Sequence, residues 1–120
     1  EELRRVTPPH IRFSFARQTA PLGLGHAVWC ARHLIGDEPF AVMLPDDLLD
    51  GDPPVLAQMV ETFQRSGASV IAVENVKREE TSRYGIVEPA LETSARLTRL
   101  LGIVEKPAPE KAPSRMAVVG

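Results

Sequence analysis

The sequence has almost nothing with which to cross-link itself: one cysteine, Cys30, in 120 residues. An internal disulfide is excluded, and such sparing use of cysteine fits a reducing compartment. No apolar run approaches the length that spans a bilayer, and the opening residues EELRRVTPPH lack the pattern of a secretory signal. Positive charge is not in excess. Fourteen Lys and Arg stand against sixteen Asp and Glu, a net charge of −2, without the clustering that a nucleic-acid surface requires. The histidines show no metal spacing, since His10 and His33 stand apart and His26 reads as helix surface. There is no Ser/His/Asp or Cys/His set in a recognisable context, no internal repeat and no low-complexity tract. Membrane proteins, nucleic-acid binders and disulfide scaffolds are set aside, and the cytoplasm is the expected location.

What is present is ordinary globular material, 43% hydrophobic and 25% charged. A chain of this size is one domain or part of one, and buries roughly two-thirds of its unfolded surface. It has no initiating Met, and Ala117-Val118-Val119-Gly120 stops in what reads as the body of a strand. Residues 1–120 are therefore expected to be the central part of a single domain, truncated at both ends.

Periodicity sets out the elements. Ile11 to Ala16 alternates apolar and polar as a half-buried strand does. Gln18 to Gly23 is a loop, punctuated by Pro21 and Gly23. Leu24, Ala27, Val28, Ala31, Leu34 and Ile35 then form one helical stripe that ends at Gly36-Asp37. Phe40 to Leu44, closed by Pro45, reads as a buried strand of a parallel sheet. A second helix follows Asp52-Pro53-Pro54, with Leu56, Met59, Val60 and Phe63 as its stripe and Ser66-Gly67 as its stop. Ser69 to Val73 is a third strand, and Glu74 to Arg83 is charged and expected to be exposed. Two more extended pieces lie around Gly85–Glu88 and Leu97–Val104, before a proline-rich loop from Lys106 to Ser114. Alternating strand and helix predicts an α/β fold with a mostly parallel sheet and flanking helices, and ligands beyond the carboxyl ends of its strands.

Four segments could carry chemistry. In Arg17-Gln18-Thr19-Ala20-Pro21-Leu22-Gly23-Leu24-Gly25-His26-Ala27, the Gln18 amide offers a donor and an acceptor suited to a pyrimidine edge. Gly23 and Gly25 permit close approach to a ring or phosphate. The same run is also an ordinary strand–helix turn with a surface Gln. In Leu44-Pro45-Asp46-Asp47, an Asp after a buried strand could supply the one carboxylate that magnesium wants. Adjacent residues of an extended chain point to opposite faces, so only one of the pair is expected at an ion. Asp after Pro is equally turn chemistry. In Ile103-Val104-Glu105-Lys106-Pro107, Lys106 is a point charge suited to a phosphate and Glu105 an acceptor for sugar hydroxyls. An exposed ion pair at a strand end is the plainer alternative. In Tyr84-Gly85-Ile86-Val87, Gly85 either leaves room for a sugar ring or marks a β-bulge. Trp29 and Cys30 are expected to pack.

In this order, and with Ala112-Pro113-Ser114-Arg115-Met116-Ala117 after them, these segments resemble the bacterial UTP–glucose-1-phosphate uridylyltransferases, also called UDP-glucose pyrophosphorylases. The resemblance covers nearly the whole chain and is weakest over Asp50–Pro54 and within Arg83–Leu101. The run Leu24-Gly25-His26-Ala27 favours this branch over thymidylyl relatives. The resemblance implies a Rossmann-like three-layer nucleotidyltransferase fold, Mg²⁺ dependence, and UTP and glucose 1-phosphate as substrates, with self-association left open. By position it implies that Gln18 and Gly23 contact uracil, Asp46 binds the metal, Gly85 lines the sugar, Glu105 bonds glucose hydroxyls and Lys106 holds the sugar phosphate. It also implies that the family's Gly-rich phosphate loop and a second metal-binding Asp lie outside these 120 residues, so this stretch alone is expected to be inactive. A noncatalytic nucleotide-sugar-binding module, or a transferase for another nucleotide or sugar phosphate, remains the alternative.

Overall fold

Proline and glycine bracket the longest helix, and the computed structural model, which describes residues 9–93 and 96–119 except the side chains of 92 and 93, shows how. This helix, α3 (Val55–Ser66), starts directly after Pro54 and stops at Gly67, whose φ of 64° is left-handed. The Gly67 amide donates to the Phe63 carbonyl at 2.7 Å, closing the last turn in a conformation that glycine adopts without a Cβ penalty. Both ends lie where the sequence places them. No residue of α3 is fully buried, and Leu56 and Val60 of its stripe are exposed.

The chain divides into two compact units, 1–42 and 43–120. In the first, the predicted single helix is two: α1 (Leu24–Cys30) and α2 (Arg32–Ile35). The break falls at Ala31, where the turn tightens to an Ala31 amide donating to the Val28 carbonyl at 3.0 Å. Residues 11–16, expected as a strand, form no ladder among the described residues, and Phe13 and Phe15 are exposed.

The second unit holds the sheet, with β1 (Val73–Asn75), β2 (Gly85–Thr93), β3 (Thr98–Glu105) and β4 (Met116–Val118) in the order β1-β4-β2-β3. Every described pairing is antiparallel, so the parallel strands expected within this chain are not found here. One reason is visible in the connections. β2 and β3 are neighbours, and β3 begins at Thr98 so soon after β2 ends at Thr93 that the link is too short for the crossover that parallel neighbours need. Residues 76–84 and 106–115, which contain the 3₁₀ turns Arg78–Arg83 and Pro109–Lys111, each carry the chain past one intervening strand. β1 and β2, like β3 and β4, therefore run in the same direction without pairing. The expected strand at 69–73 also begins later, at Val73, and 40–44, expected as a buried strand, forms no ladder among the described residues. Residues 1–8 and Gly120, on which the reading of truncated ends was drawn, lie outside the described residues.

The core sits where β4 enters the sheet. Ile86 and Ala117 face each other across the β2–β4 pairing, both fully buried, and Ala112 packs with them beside Val76 and Tyr84. Ser114 ties this layer together. Its hydroxyl donates to the Val87 carbonyl at 2.6 Å and accepts from the Met116 amide at 3.0 Å. The charged run 74–83, expected to be exposed throughout, turns Thr81 fully inward, with its hydroxyl satisfied by the Arg78 carbonyl at 2.8 Å.

Candidate functional site

The loop before α1 is built around Gly23. Its φ of 93° lies in a region that L side chains rarely adopt, which explains a glycine at this point in chemical terms. The Gly23 carbonyl accepts the first helical bond from the Ala27 amide at 3.2 Å and a second bond from Gln18 Nε2 at 3.0 Å. The other side of that amide nitrogen meets His26 Nδ1, also at 3.0 Å. Gln18 is therefore tied to its loop through nitrogen, and no hydrogen bond among the described residues occupies its Oε1. The structure brings Gln18 and Gly23 together through their hydrogen bond within the loop. It also adds His26, read from the sequence as helix surface and here half-buried. Spacing puts His26 three residues beyond Gly23, about one helical turn, but does not bring the Gln18 amide to it. The Cys30 Sγ stands 3.9 Å from His26 Nε2, one turn further along α1.

In the second unit, Gly85 and Glu105 are paired directly across β2 and β3. A Cβ built on Gly85 would lie 3.4 Å from Glu105 Oε2 and 3.3 Å from Ile103 Cγ2. The glycine thus leaves the space into which the Glu105 carboxylate leans. The β-bulge considered for Gly85 is elsewhere, as the β2–β3 register shifts between Glu88 and Pro89. Lys106 follows at once. Its amide donates to the Tyr84 carbonyl at 3.0 Å, extending the strand pair by one bond, and its φ of 45° is left-handed. It is the one described non-glycine residue with positive φ, and strain of this kind collects at functional positions. Lys106 Nζ stands 3.6 Å from Glu105 Oε1, with the two side chains 62% and 74% exposed. The plain reading of these two residues, an exposed ion pair, is what this structure contains. The lysine side chain is open to solvent, as is that of Glu105 within the ladder.

Asp46 occupies a turn. The Asp47 amide donates to the Leu44 carbonyl at 3.3 Å, with Pro45 and Asp46 between them. Pro45 presets the φ that such a turn needs. The argument that alternate faces separate Asp46 from Asp47 therefore loses its basis, because the chain is folded back here rather than extended. Asp46 is exposed, and no hydrogen bond or ion pair ties its carboxylate among the described residues. Nor do the described residues contain a group of three or more His, Cys, Asp or Glu placed to hold a metal ion. No described helix is long and apolar enough to cross a membrane.

Comparison with known proteins gives the chain its family. A sequence profile of the family described as "Nucleotidyl transferase" matches residues 1–120. The UTP–glucose-1-phosphate uridylyltransferase of Bacillus subtilis strain 168 is 47% identical over 106 residues, 88% of this chain and 36% of that protein. The Pseudomonas aeruginosa protein of the same name is 49% identical over 111 residues, 90% of this chain and 39% of its own length. The chain thus spans well under half of these relatives. Among solved structures, a UDP-glucose pyrophosphorylase complexed with UDP-glucose matches with a TM-score of 0.84 at 44% identity, over 90% of this chain and 41% of its own. A UTP-bound UGPase from Acinetobacter baumannii matches with a TM-score of 0.88 at 40% identity, over 99% of this chain and 43% of its own. At these identities the likeness carries family as well as fold, and the antiparallel sheet and helices described above are part of a nucleotidyltransferase-like fold. With its whole length matched by the profile, the chain belongs to the nucleotidyl transferase family.

Proposed function

We propose that the protein to which this chain belongs transfers a uridylyl group from UTP to glucose 1-phosphate, giving UDP-glucose and pyrophosphate. The observation that carries the reading is the pairing of Gly85 with Glu105, next to a strained Lys106, in a chain 44% identical to a UDP-glucose-bound relative. A carboxylate over a side-chain-free patch is suited to accept hydrogen bonds from sugar hydroxyls. An ammonium one residue on is suited to the phosphate of the same sugar. Gln18 and Gly23 are assigned to the uracil, supported by the likeness to a UTP-bound relative.

In this reaction a phosphate oxygen of glucose 1-phosphate attacks the α-phosphorus of UTP. The bond from that phosphorus to the bridging oxygen breaks, and pyrophosphate leaves with the electron pair. The attacking oxygen already carries negative charge, so no general base is required of the chain. What the residues supply is position and charge neutralisation. Lys106 would offset the charge of the incoming phosphate, Glu105 would fix the sugar's rotation about it, and Gln18 would hold the base.

Asp46 is the assigned magnesium ligand. A single free, hard carboxylate fits an ion that keeps water and phosphate oxygens as its other ligands. When bound, the ion would neutralise part of the triphosphate charge. A cytoplasmic location belongs to the same proposal, and the free Cys30 is compatible with it.

The test is direct. The purified full-length protein, supplied with UTP, glucose 1-phosphate and Mg²⁺, is expected to form UDP-glucose and pyrophosphate in equal amounts. Binding of UDP-glucose without turnover would instead identify a noncatalytic module. Faster turnover with another nucleotide or sugar phosphate would keep the chemistry and replace the substrates.

A further inference from the structure

His26 is the residue near the assigned base contact for which the proposed reaction has no use. A glutamine amide has two nearly isosteric ends, one accepting and one donating, and unaided it can turn either end to a ligand. Here the choice is made by the loop. The Gly23 carbonyl can only accept, so the end of Gln18 that lies 3.0 Å from it must be the NH₂. That same nitrogen lies 3.0 Å from His26 Nδ1, and with one proton on Gly23 it can direct the other only to a ring nitrogen that accepts. His26 must then be neutral with its proton on Nε2, the nitrogen 3.9 Å from Cys30 Sγ. Both donors of the amide are consumed, and Oε1 is what remains for a ligand.

The consequence follows from the bases. Uracil presents a donor, N3–H, at the centre of its pairing edge, whereas cytosine presents an acceptor at N3 and a donor at N4. A fixed acceptor held at N3 meets the first with a hydrogen bond and the second with two lone pairs face to face. We infer that His26 is a positioning residue that locks the Gln18 amide with its acceptor outward, and that this lock selects imide bases, uracil and thymine alike, against cytosine. The inference rests on the assignment of Gln18 to the base. It goes beyond that assignment by naming what orients the amide and which nucleotide the orientation rejects.

Without His26, one Gln18 proton loses its partner, and the amide keeps only the Gly23 bond to hold its direction. The flipped amide would then be free to donate to cytosine N3. The test is steady-state kinetics on the full-length protein with UTP and CTP varied in turn, for the unaltered enzyme and three variants. His26→Leu is expected to raise the KM for UTP about tenfold, and to cut the preference for UTP over CTP by at least about as much. Its KM for glucose 1-phosphate should stay within about twofold, since that substrate does not depend on the amide. His26→Asn places a carbonyl oxygen near the position of Nδ1, and is expected to recover most of the preference. Gln18→Leu separates the two levels of the argument. If Gln18→Leu weakens UTP while His26→Leu leaves the preference unchanged, Gln18 reads the base and His26 does not orient it, which overturns the inference alone. If Gln18→Leu leaves UTP unaffected, both the assignment and the inference fall. Should His26→Leu fail to fold, nitrogen NMR of the ring in the unaltered protein decides, with the Nε2–H tautomer expected and an Nδ1–H tautomer refuting the lock.

Discussion

Replacing Lys106 separates two properties that the structure combines in one residue, a charge and a strained backbone. With φ at 45°, a residue bearing a Cβ is in the left-handed region, at a cost of about 1–2 kcal/mol. Glycine would relieve that strain, but its looser unfolded chain takes back about 0.5–1 kcal/mol. The ion pair lost with the side chain is 3.6 Å long between two mostly exposed groups, and is worth at most about 1 kcal/mol. The sum places Lys106→Gly within about 1.5 kcal/mol of the unaltered protein. Lys106→Ala loses the same ion pair and keeps the strain, so it should be the less stable of the two. This reverses the usual order, in which glycine is the costlier substitution. Denaturant unfolding of the full-length protein reads the order, and an alanine variant more stable than the glycine variant would show that no strain is stored here. Activity should not follow stability. If Lys106 neutralises the sugar phosphate, a charge-assisted hydrogen bond of about 1.5–3 kcal/mol is lost in both variants, on the order of a ten- to hundredfold rise in the KM for glucose 1-phosphate. The KM for UTP should change far less. Steady-state kinetics with each substrate varied in turn checks this, and equal effects on both would remove Lys106 from the site.

Asp46→Asn in the full-length protein should abolish turnover while leaving the melting temperature near that of the unaltered protein, because the carboxylate is exposed and has no partner among the described residues; Asp47→Asn, at the position to which the resemblance gives no metal role, should cost much less, and comparable losses would show the wrong aspartate was assigned. Gly85→Val should weaken glucose 1-phosphate more than UTP, since a side chain there meets Ile103 at 3.3 Å and displaces Glu105; substrate-by-substrate kinetics reads the split. Ser114→Ala should lower stability by about 1–3 kcal/mol in denaturant unfolding, by removing a hydroxyl that serves both the Val87 carbonyl and the Met116 amide. The isolated 120-residue chain, which spans 36–39% of its uridylyltransferase relatives, should show no turnover of UTP and glucose 1-phosphate; UDP-glucose formed by material free of host enzyme would refute this.

Local chemistry was legible in the sequence where a single residue decides it. Pro54 and Gly67 bound α3 because one lacks an amide proton and the other lacks a Cβ. Pro45 marks the Leu44–Asp47 turn, and Gly23 its positive φ, for reasons equally local. The motif order was enough to indicate the family, because each segment constrains one contact and together they are specific. Strand direction was not legible, since apolar periodicity reports that a segment is extended and says nothing of which neighbour it will meet. Only the tertiary structure placed β4 between β1 and β2, and only the β2–β3 register set Gly85 against Glu105, twenty positions away. His26 shows the limit most plainly. Its helix was predicted, but its role depends on where a carbonyl and an amide eight residues upstream come to rest, which folding decides and spacing alone does not.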